Sequence, residues 1–345
     1  MSQLNYYIKV SYDYEIMDDY SNLIKYLNSS DYFNLLIKKN KNKKRNRING
    51  LRVLGEIGST TIFLKYTPDR KTIELHKNPN KLEKKMEKKC VLCLMYQSDT
   101  KISPINLSRS LLWRNYIISA NTYPYFKNHM LILTTNHNHG RQGNRGSQII
   151  LHQNKNVISD MIDLYILLGQ KGTMFFNGLI GNSQYHFHFH MTSENIPIKE
   201  LLYKKNNLNF DIFNTKKNNK IFIFQQKNKN CLKGIIFYGN KKTIKNEIFK
   251  FLKHLTKLGF LYNVLFIENK DKSLSQNITS IIYVRKKLKN KKITDHNMGA
   301  TSIGGILLTD NKKIKINSKK FIDSVKYYCD LTLVTPTKEM IKNII

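Results

Sequence analysis

Gly181-Asn182-Ser183-Gln184-Tyr185-His186-Phe187-His188-Phe189-His190-Met191 alternates imidazole with apolar side chains through its second half. Successive side chains of a β-strand face opposite sides, so the run puts His186, His188 and His190 on one face and sends Phe187, Phe189 and Met191 into a core on the other. The chain has only ten histidines, and three of them at strict alternation argue against chance clustering. Imidazole is nucleophilic at neutral pH, and a row of imidazoles can bind phosphate, move a proton and accept a phosphoryl-type group. The same row could instead ligate zinc. The residues of this stretch leave both readings open.

Working outward, the spacing predicts strands over 116–119 and 130–133 around the turn at Pro124, a helix over 157–168 and a strand over 174–176. Gly140-Arg141-Gln142-Gly143-Asn144-Arg145-Gly146 reads as a basic loop. The order strand, strand, helix, strand, strand suits an α+β unit with an antiparallel sheet and packed helices. After Pro197 the pattern recurs, with strands over 221–224 and 234–238, a helix over 243–258 and strands over 262–267, 281–284 and 303–308. This reads as a degenerate second copy without a second histidine run. The tail reads as helical over 321–329 and 338–344. Upstream, a helix is expected through Ile37, followed by a basic loop over 38–47. A hairpin is expected from 57–64 and 72–75 around Thr67-Pro68-Asp69-Arg70, followed by a Lys/Glu-rich segment over 81–89. Three regions result: 1–80, 81–197 carrying the histidines, and 198–345.

Hydrophobic residues make up 41% of the 345 and aromatics 11%, enough to build a core. Fifty-eight Lys+Arg against 24 Asp+Glu give a net charge of +34, which draws polyanions such as nucleotides or nucleic acid. Overuse of Lys, Asn and Ile together has a second source, a coding bias toward A and T. Four cysteines are too few for a disulfide scaffold, and Cys90-Val91-Leu92-Cys93 suits metal binding in a reducing compartment. No apolar stretch approaches the ~18 residues that span a bilayer, and Met1-Ser2-Gln3-Leu4-Asn5 does not open a signal segment. A cytoplasmic or nuclear location with no membrane partner is the expectation.

Residues 181–191 resemble the histidine-triad signature, in which histidines alternate with apolar residues and a serine, here Ser183, stands three before the first. Asn121-Thr122-Tyr123-Pro124 and His129-Met130-Leu131-Ile132-Leu133 look like the strand pair that precedes the triad in that superfamily. Its members include galactose-1-phosphate uridylyltransferase and the diadenosine tetraphosphate and GDP-hexose phosphorylases. The resemblance implies a histidine-triad-like antiparallel sheet and a covalent nucleotidyl intermediate on His188, formed by cleaving a nucleotide phosphoanhydride. It implies that Ser183 hydrogen-bonds the leaving or bridging phosphate oxygen, that His190 and Asn177 hold the non-bridging oxygens, and that His129 assists. Gly181 and His186 belong to the nucleotide-phosphate site. It also implies a structural zinc on Cys90, Cys93, His137 (with His139 as competitor) and His186, and no organic cofactor.

The expected substrate is a nucleotide or nucleotide sugar, and dimers are common in the resembling families. The length of the chain, its second unit, and Gly181 and Ser183 close behind Phe176-Asn177-Gly178 favour the transferase and phosphorylase branch. His190 stands where that branch has glutamine and where the small hydrolases have histidine, so water, phosphate and sugar phosphate all stay open as acceptors. The basic runs over 38–47 and 285–292 keep an alternative alive: a nucleic-acid-processing hydrolase that removes adenylate or opens caps, or a basic nucleic-acid-binding protein.

Overall fold

The computed structural model describes residues 49–57, 60–66, 111–121, 124–134, 155–178, 187–203, 208–215, 219–226, 232–269, 277–286, 298–309 and 319–345. Two antiparallel strand sets meet in one ten-stranded sheet. In the first, β3 (Leu111–Trp113), β4 (Tyr116–Ala120) and β5 (Met130–Thr134) form a meander; α1 (Lys155–Leu167) then leads to β6 (Thr173–Phe176) and β7 (His188–Thr192). Past α2 (Pro197–Tyr203), β8 (Leu208–Asn214), β9 (Lys220–Gln226) and β10 (Lys233–Asn240) form another meander. There α3 (Lys241–Lys257) leads to β11 (Leu261–Ile267) and β12 (Asn277–Arg285).

The sheet order is β3-β4-β5-β7-β6-β11-β12-β10-β9-β8, so each half runs meander, helix, hairpin, with its last strand inserted beside the meander. The halves join through β6 and β11, antiparallel, with Phe176 opposite Val264 and Thr173 opposite Ile267. That join puts β7 inside the sheet, paired with β5 on one edge and β6 on the other.

One face of the sheet is covered by α1 and α3. Buried residues of α3 fall at Ile244, Ile248, Phe251, Leu252 and Leu255, a helical stripe. Asn240 caps the same helix, its side chain accepting from the Lys242 N–H at 2.9 Å. With Val157, Met161 and Tyr165 of α1 they bury Phe187, Phe189 and Met191, the apolar half of the alternating strand. On the opposite face Phe175, Leu265, Ile281 and Tyr283 pack with Ile196 and Ile198 at the start of α2 and with Ile303 of α4 (Ala300–Ile303). Ile306 and Leu307 of β13 (Ile306–Thr309) and Val325 of α5 (Lys319–Thr332) join that cluster. The chain ends in α6 (Lys338–Ile341).

The α+β class and antiparallel sheet are as the periodicity predicts. The N-terminal hairpin is not. β1 (Asn49–Ile57) pairs with β2 (Thr60–Tyr66), Ile57 opposite Thr60, so the chain reverses between those residues and not at Thr67-Pro68-Asp69-Arg70. Gly58-Ser59 is two-residue hairpin material that outcompetes the longer turn, and Arg52-Val53-Leu54 is extended. The segment 72–75 lies outside the described residues. The expected strand over 303–308 divides into α4 and β13, with Gly305 at φ +108° between them, and β13 pairs parallel with β2 in a three-stranded sheet. The short elements β3 and α2 carry too few apolar repeats to be read from sequence; β8, with Leu208, Phe210 and Ile212 in alternation, is a strand beyond those expected above.

Gly178, just past β6, has φ +61°, and a Cβ there would lie 2.0 Å from the Tyr262 carbonyl oxygen. Close approach of the two halves therefore excludes a side chain. Gly178→Ala is expected to lower stability by about 2–4 kcal/mol, backbone strain plus overpacking. Gly259→Ala, at φ +77° with nothing within 4 Å, costs only the strain, about 1–2 kcal/mol. Urea midpoints at unchanged m-value check the difference; equal losses would refute the packing argument.

Candidate active site

The interior position of β7 fixes the neighbours of its histidines. His188 lies opposite Leu133 and His190 opposite Leu131 on β5, while Phe175 of β6 faces His190 from the other edge. Continuing the β6 register by two residues puts Asn177 across from His188. The alternation that sends Phe187 and Phe189 to the helix face puts His188 and His190 on the other, their rings 4.8 Å apart and steeply inclined at 73°. Both are nearly enclosed, 4% and 6% exposed, so their ring nitrogens need partners.

His129 supplies one. It immediately precedes β5, and the β4–β5 ladder continues past Ala120 and Met130 with the Asn121 N–H donating to the His129 carbonyl at 2.9 Å. With the backbone pinned, the His129 ring reaches across to β7, its Nε2 3.0 Å from His190 Nδ1. Asn121 Nδ2 lies against the same ring, 3.2 Å from Nδ1 and 3.4 Å from Nε2, and the Tyr125 backbone N–H donates to Nδ1 at 3.4 Å. Tyr125 and Phe126 pack on the His129 ring at 4.3 and 5.7 Å, and Phe175 stacks on His190 at 4.7 Å, nearly parallel at 9°. An aromatic collar thus holds the two imidazoles in one geometry. Neither Asn121 nor Phe175 was assigned a role from the sequence; a polar residue eight before a histidine has no periodic signal.

Asn177 closes β6 and holds the opposite wall. Its Oδ1 accepts from the Ala300 N–H at 3.0 Å, and its carbonyl accepts from Asn263 Nδ2. Asn263 Oδ1 in turn accepts from Arg285 Nη1 at 2.5 Å, and the same nitrogen donates to the Met298 carbonyl at 3.1 Å. Two side chains from the second strand set therefore brace the residue facing His188. Arg285, counted with the basic run over 285–292, is fully buried in this network and adds nothing to a solvent-facing basic surface. Burial raises the pKa of the adjacent Tyr283 hydroxyl, keeping that side chain neutral.

The structure thus brings His129, His188 and His190 together with Asn177 at the strand end. Ser183, His186, Gly181, Cys90, Cys93, His137 and His139 lie outside the described residues. Among the described residues no group of three or more His, Cys, Asp or Glu side chains could hold a metal ion. Among them, too, no helix is long and apolar enough to cross a membrane.

This arrangement of strands recurs in a solved enzyme. The chain shares its fold with yeast Ap4A phosphorylase Apa2. The match to the crystal structure of Apa2 has a TM-score of 0.55 at 14% identity, covering 92% of this chain and 96% of the phosphorylase. The Apa2 complex with Ap4A matches at 0.51 and 15% identity over 92% and 98% of the two chains. The AMP complex matches at 0.50 and 13% over 90% and 94%. No family model matches the sequence, and no curated protein matches it at the sequence level. The fold likeness to Apa2 meets the resemblance drawn from residues 121–133 and 181–191, which pointed to the branch containing the diadenosine tetraphosphate phosphorylases.

The brace makes a prediction. Asn177→Ala removes the acceptor of a buried N–H at the start of α4 and is expected to cost about 1–3 kcal/mol. Hydrogen exchange should show faster exchange of the Ala300 amide in particular. Unchanged Ala300 protection would refute the assignment.

Proposed function

We propose that this chain cleaves a phosphoanhydride bond of a nucleotide and passes the nucleotidyl group to an acceptor through a covalent bond to His188. The observation that carries the proposal is the buried, ordered row in which His188 and His190 stand 4.8 Å apart on one sheet face with His129 3.0 Å behind His190. A ring nitrogen of His188 attacks the α-phosphorus; the P–N bond forms as the bridging P–O bond breaks and the remaining phosphate leaves. An acceptor oxygen then attacks the same phosphorus, and the P–N bond breaks, restoring the imidazole. His190 stabilises the oxygens whose charge grows in both transition states, and Ser183 donates to the bridging oxygen. Gly181 and His186 complete the phosphate site, and Asn177 orders its wall.

Dinucleoside polyphosphates and nucleoside monophosphate products are the first substrates to try, since the fold neighbours are Ap4A phosphorylase structures with Ap4A and AMP. Inorganic phosphate is the first acceptor. Residues 198–345 are read as a degenerate copy of the histidine-bearing unit, supported by the same order of meander, helix and inserted hairpin in both halves. Cys90, Cys93, His137 and His186 are a tetrahedral zinc donor set, and would hold a structural ion that pins the catalytic strand to the upstream segment. A homodimer in the cytoplasm completes the reading. The net charge of +34 supports a second reading, a nucleic-acid end as the substrate.

Incubation with α-labelled ATP, GTP or Ap4A followed by alkaline quench should trap an acid-labile adduct, absent in His188→Gly. Label retained by that variant rejects His188 as nucleophile. Products formed with and without phosphate separate phosphorolysis from hydrolysis, and a steep loss of oligonucleotide binding with rising salt would favour the second reading.

A further inference from the structure

The helices cover the face of the sheet opposite His188 and His190, and the outer surface of that layer is electrostatically one-sided. α3 carries Lys241, Lys242, Lys245, Lys250, Lys253 and Lys257. Positions 242, 250, 253 and 257 are exposed and, with Asn246, recur at helical spacing on one face, opposite the buried Ile244, Ile248, Phe251 and Leu255. At 1.5 Å rise per residue that lysine face runs about 22 Å. The one carboxylate of the helix, Glu247, is turned inward: it is 5% exposed, and its Oε2 accepts from Asn219 Nδ2 at 2.7 Å. On the neighbouring α1, whose Ser159 Oγ accepts from Lys245 Nζ at 2.9 Å, the acids are engaged as well. Arg114 binds both Asp160 and Asp163, and the Tyr116 hydroxyl donates to Asp160 at 2.9 Å. Glu339 of α6 feels Lys338 and Lys342.

This arrangement works against the helix. Lys250, Lys253 and Lys257 follow one another at three and four residues and repel, and Lys241 and Lys242 sit in a first turn without an acid, where the helix dipole already adds positive charge. A coding bias toward lysine raises its number, but does not by itself bury or pair the carboxylates of α1 and α3. A row of anions from outside the chain relieves the repulsion. We propose that the outer face of α3 is a docking surface for a nucleic-acid strand, bound through its phosphates without regard to base sequence. Lysine meets a phosphate as a point charge and lacks the planar fork that reads a base edge. A lipid surface is also anionic, but holding one takes an apolar face, and the apolar residues of α3 are spent on the sheet. An acidic protein partner would need aromatic anchors, and lysine is depleted from such interfaces. Because α3 and His188 lie on opposite faces of the sheet, a strand docked there leaves the histidines open, and the docking holds whether or not the nucleotidyl transfer does.

Fluorescence anisotropy of a labelled single-stranded RNA, titrated with the full chain at several salt concentrations, tests this. Lys250→Gln/Lys253→Gln/Lys257→Gln removes three charges from α3, and Lys171→Gln/Lys220→Gln/Lys286→Gln removes as many from exposed positions off the helix. The α3 variant is expected to bind about tenfold or more weakly at about 50 mM salt and to lower the slope of log affinity against log salt by about 2, with little change in the control variant. Equal losses in the two variants, or no binding by the unsubstituted chain, overturn the proposal. The substituted lysines face solvent and repel, so the Tm of the α3 variant should stay or rise; a fall gives them a role in the fold and overturns it. Phosphatidylserine vesicles that the α3 variant no longer holds, at unchanged RNA affinity, assign the face to a membrane instead. His188→Gly should bind RNA unchanged; a loss there makes the RNA a ligand of the histidine site and overturns docking on α3. No step of nucleotidyl transfer enters these readouts, so a chain that forms no adduct counts against the transfer alone.

Discussion

A β-strand buried on both faces has to satisfy two environments with a single period of two residues, and β7 does so by sorting its side chains. Phe187, Phe189 and Met191 are fully buried against α1 and α3, while His188 and His190 point to the opposite face. A slip of one residue would exchange the sets, driving imidazoles into an apolar helix interface and phenyl rings onto the face where His188 and His190 stand. Register is thus fixed from the apolar side by large aromatic residues and inherited by the chemical side. The position of His188 is a consequence of core packing, which is why it needs no dedicated scaffold of its own.

The interior placement of β7 depends in turn on the second strand set. Without the β6–β11 pairing, β6 would be a sheet edge and β7 one strand from it, exposed to fraying and mispairing. With it, Asn263 and Arg285 reach back to the end of β6 and fasten Asn177 and the segment at Met298 and Ala300. The second strand set thus holds Asn177, at the end of β6, in place.

How much of this the sequence discloses follows from the range of each interaction. Strict alternation over 186–191 and helical spacing over 157–168 and 243–258 are local and strong, so the antiparallel sheet, its two principal helices and the histidine row are legible. The reversal near residue 58 is hidden in the sequence because Thr67-Pro68-Asp69-Arg70 is the louder turn signal, whereas Ile57 pairs with Thr60. Asn121, Phe175, Asn263 and Arg285 act across separations of 8 to 86 residues through a few contacts each, which no periodicity encodes. Arg285 shows the opposite error: its sequence neighbours are basic and its side chain is interior.

The third histidine is where sequence and structure bear on each other most. In the resembling transferases and phosphorylases that position is glutamine, whose carboxamide offers an N–H and cannot serve as a base at neutral pH. A free histidine would differ in both respects, and on sequence alone His190 therefore points toward the hydrolases. In the structure His190 is not a free histidine: its Nδ1 lies 3.0 Å from His129 Nε2, and Phe175 stacks on its ring at 4.7 Å.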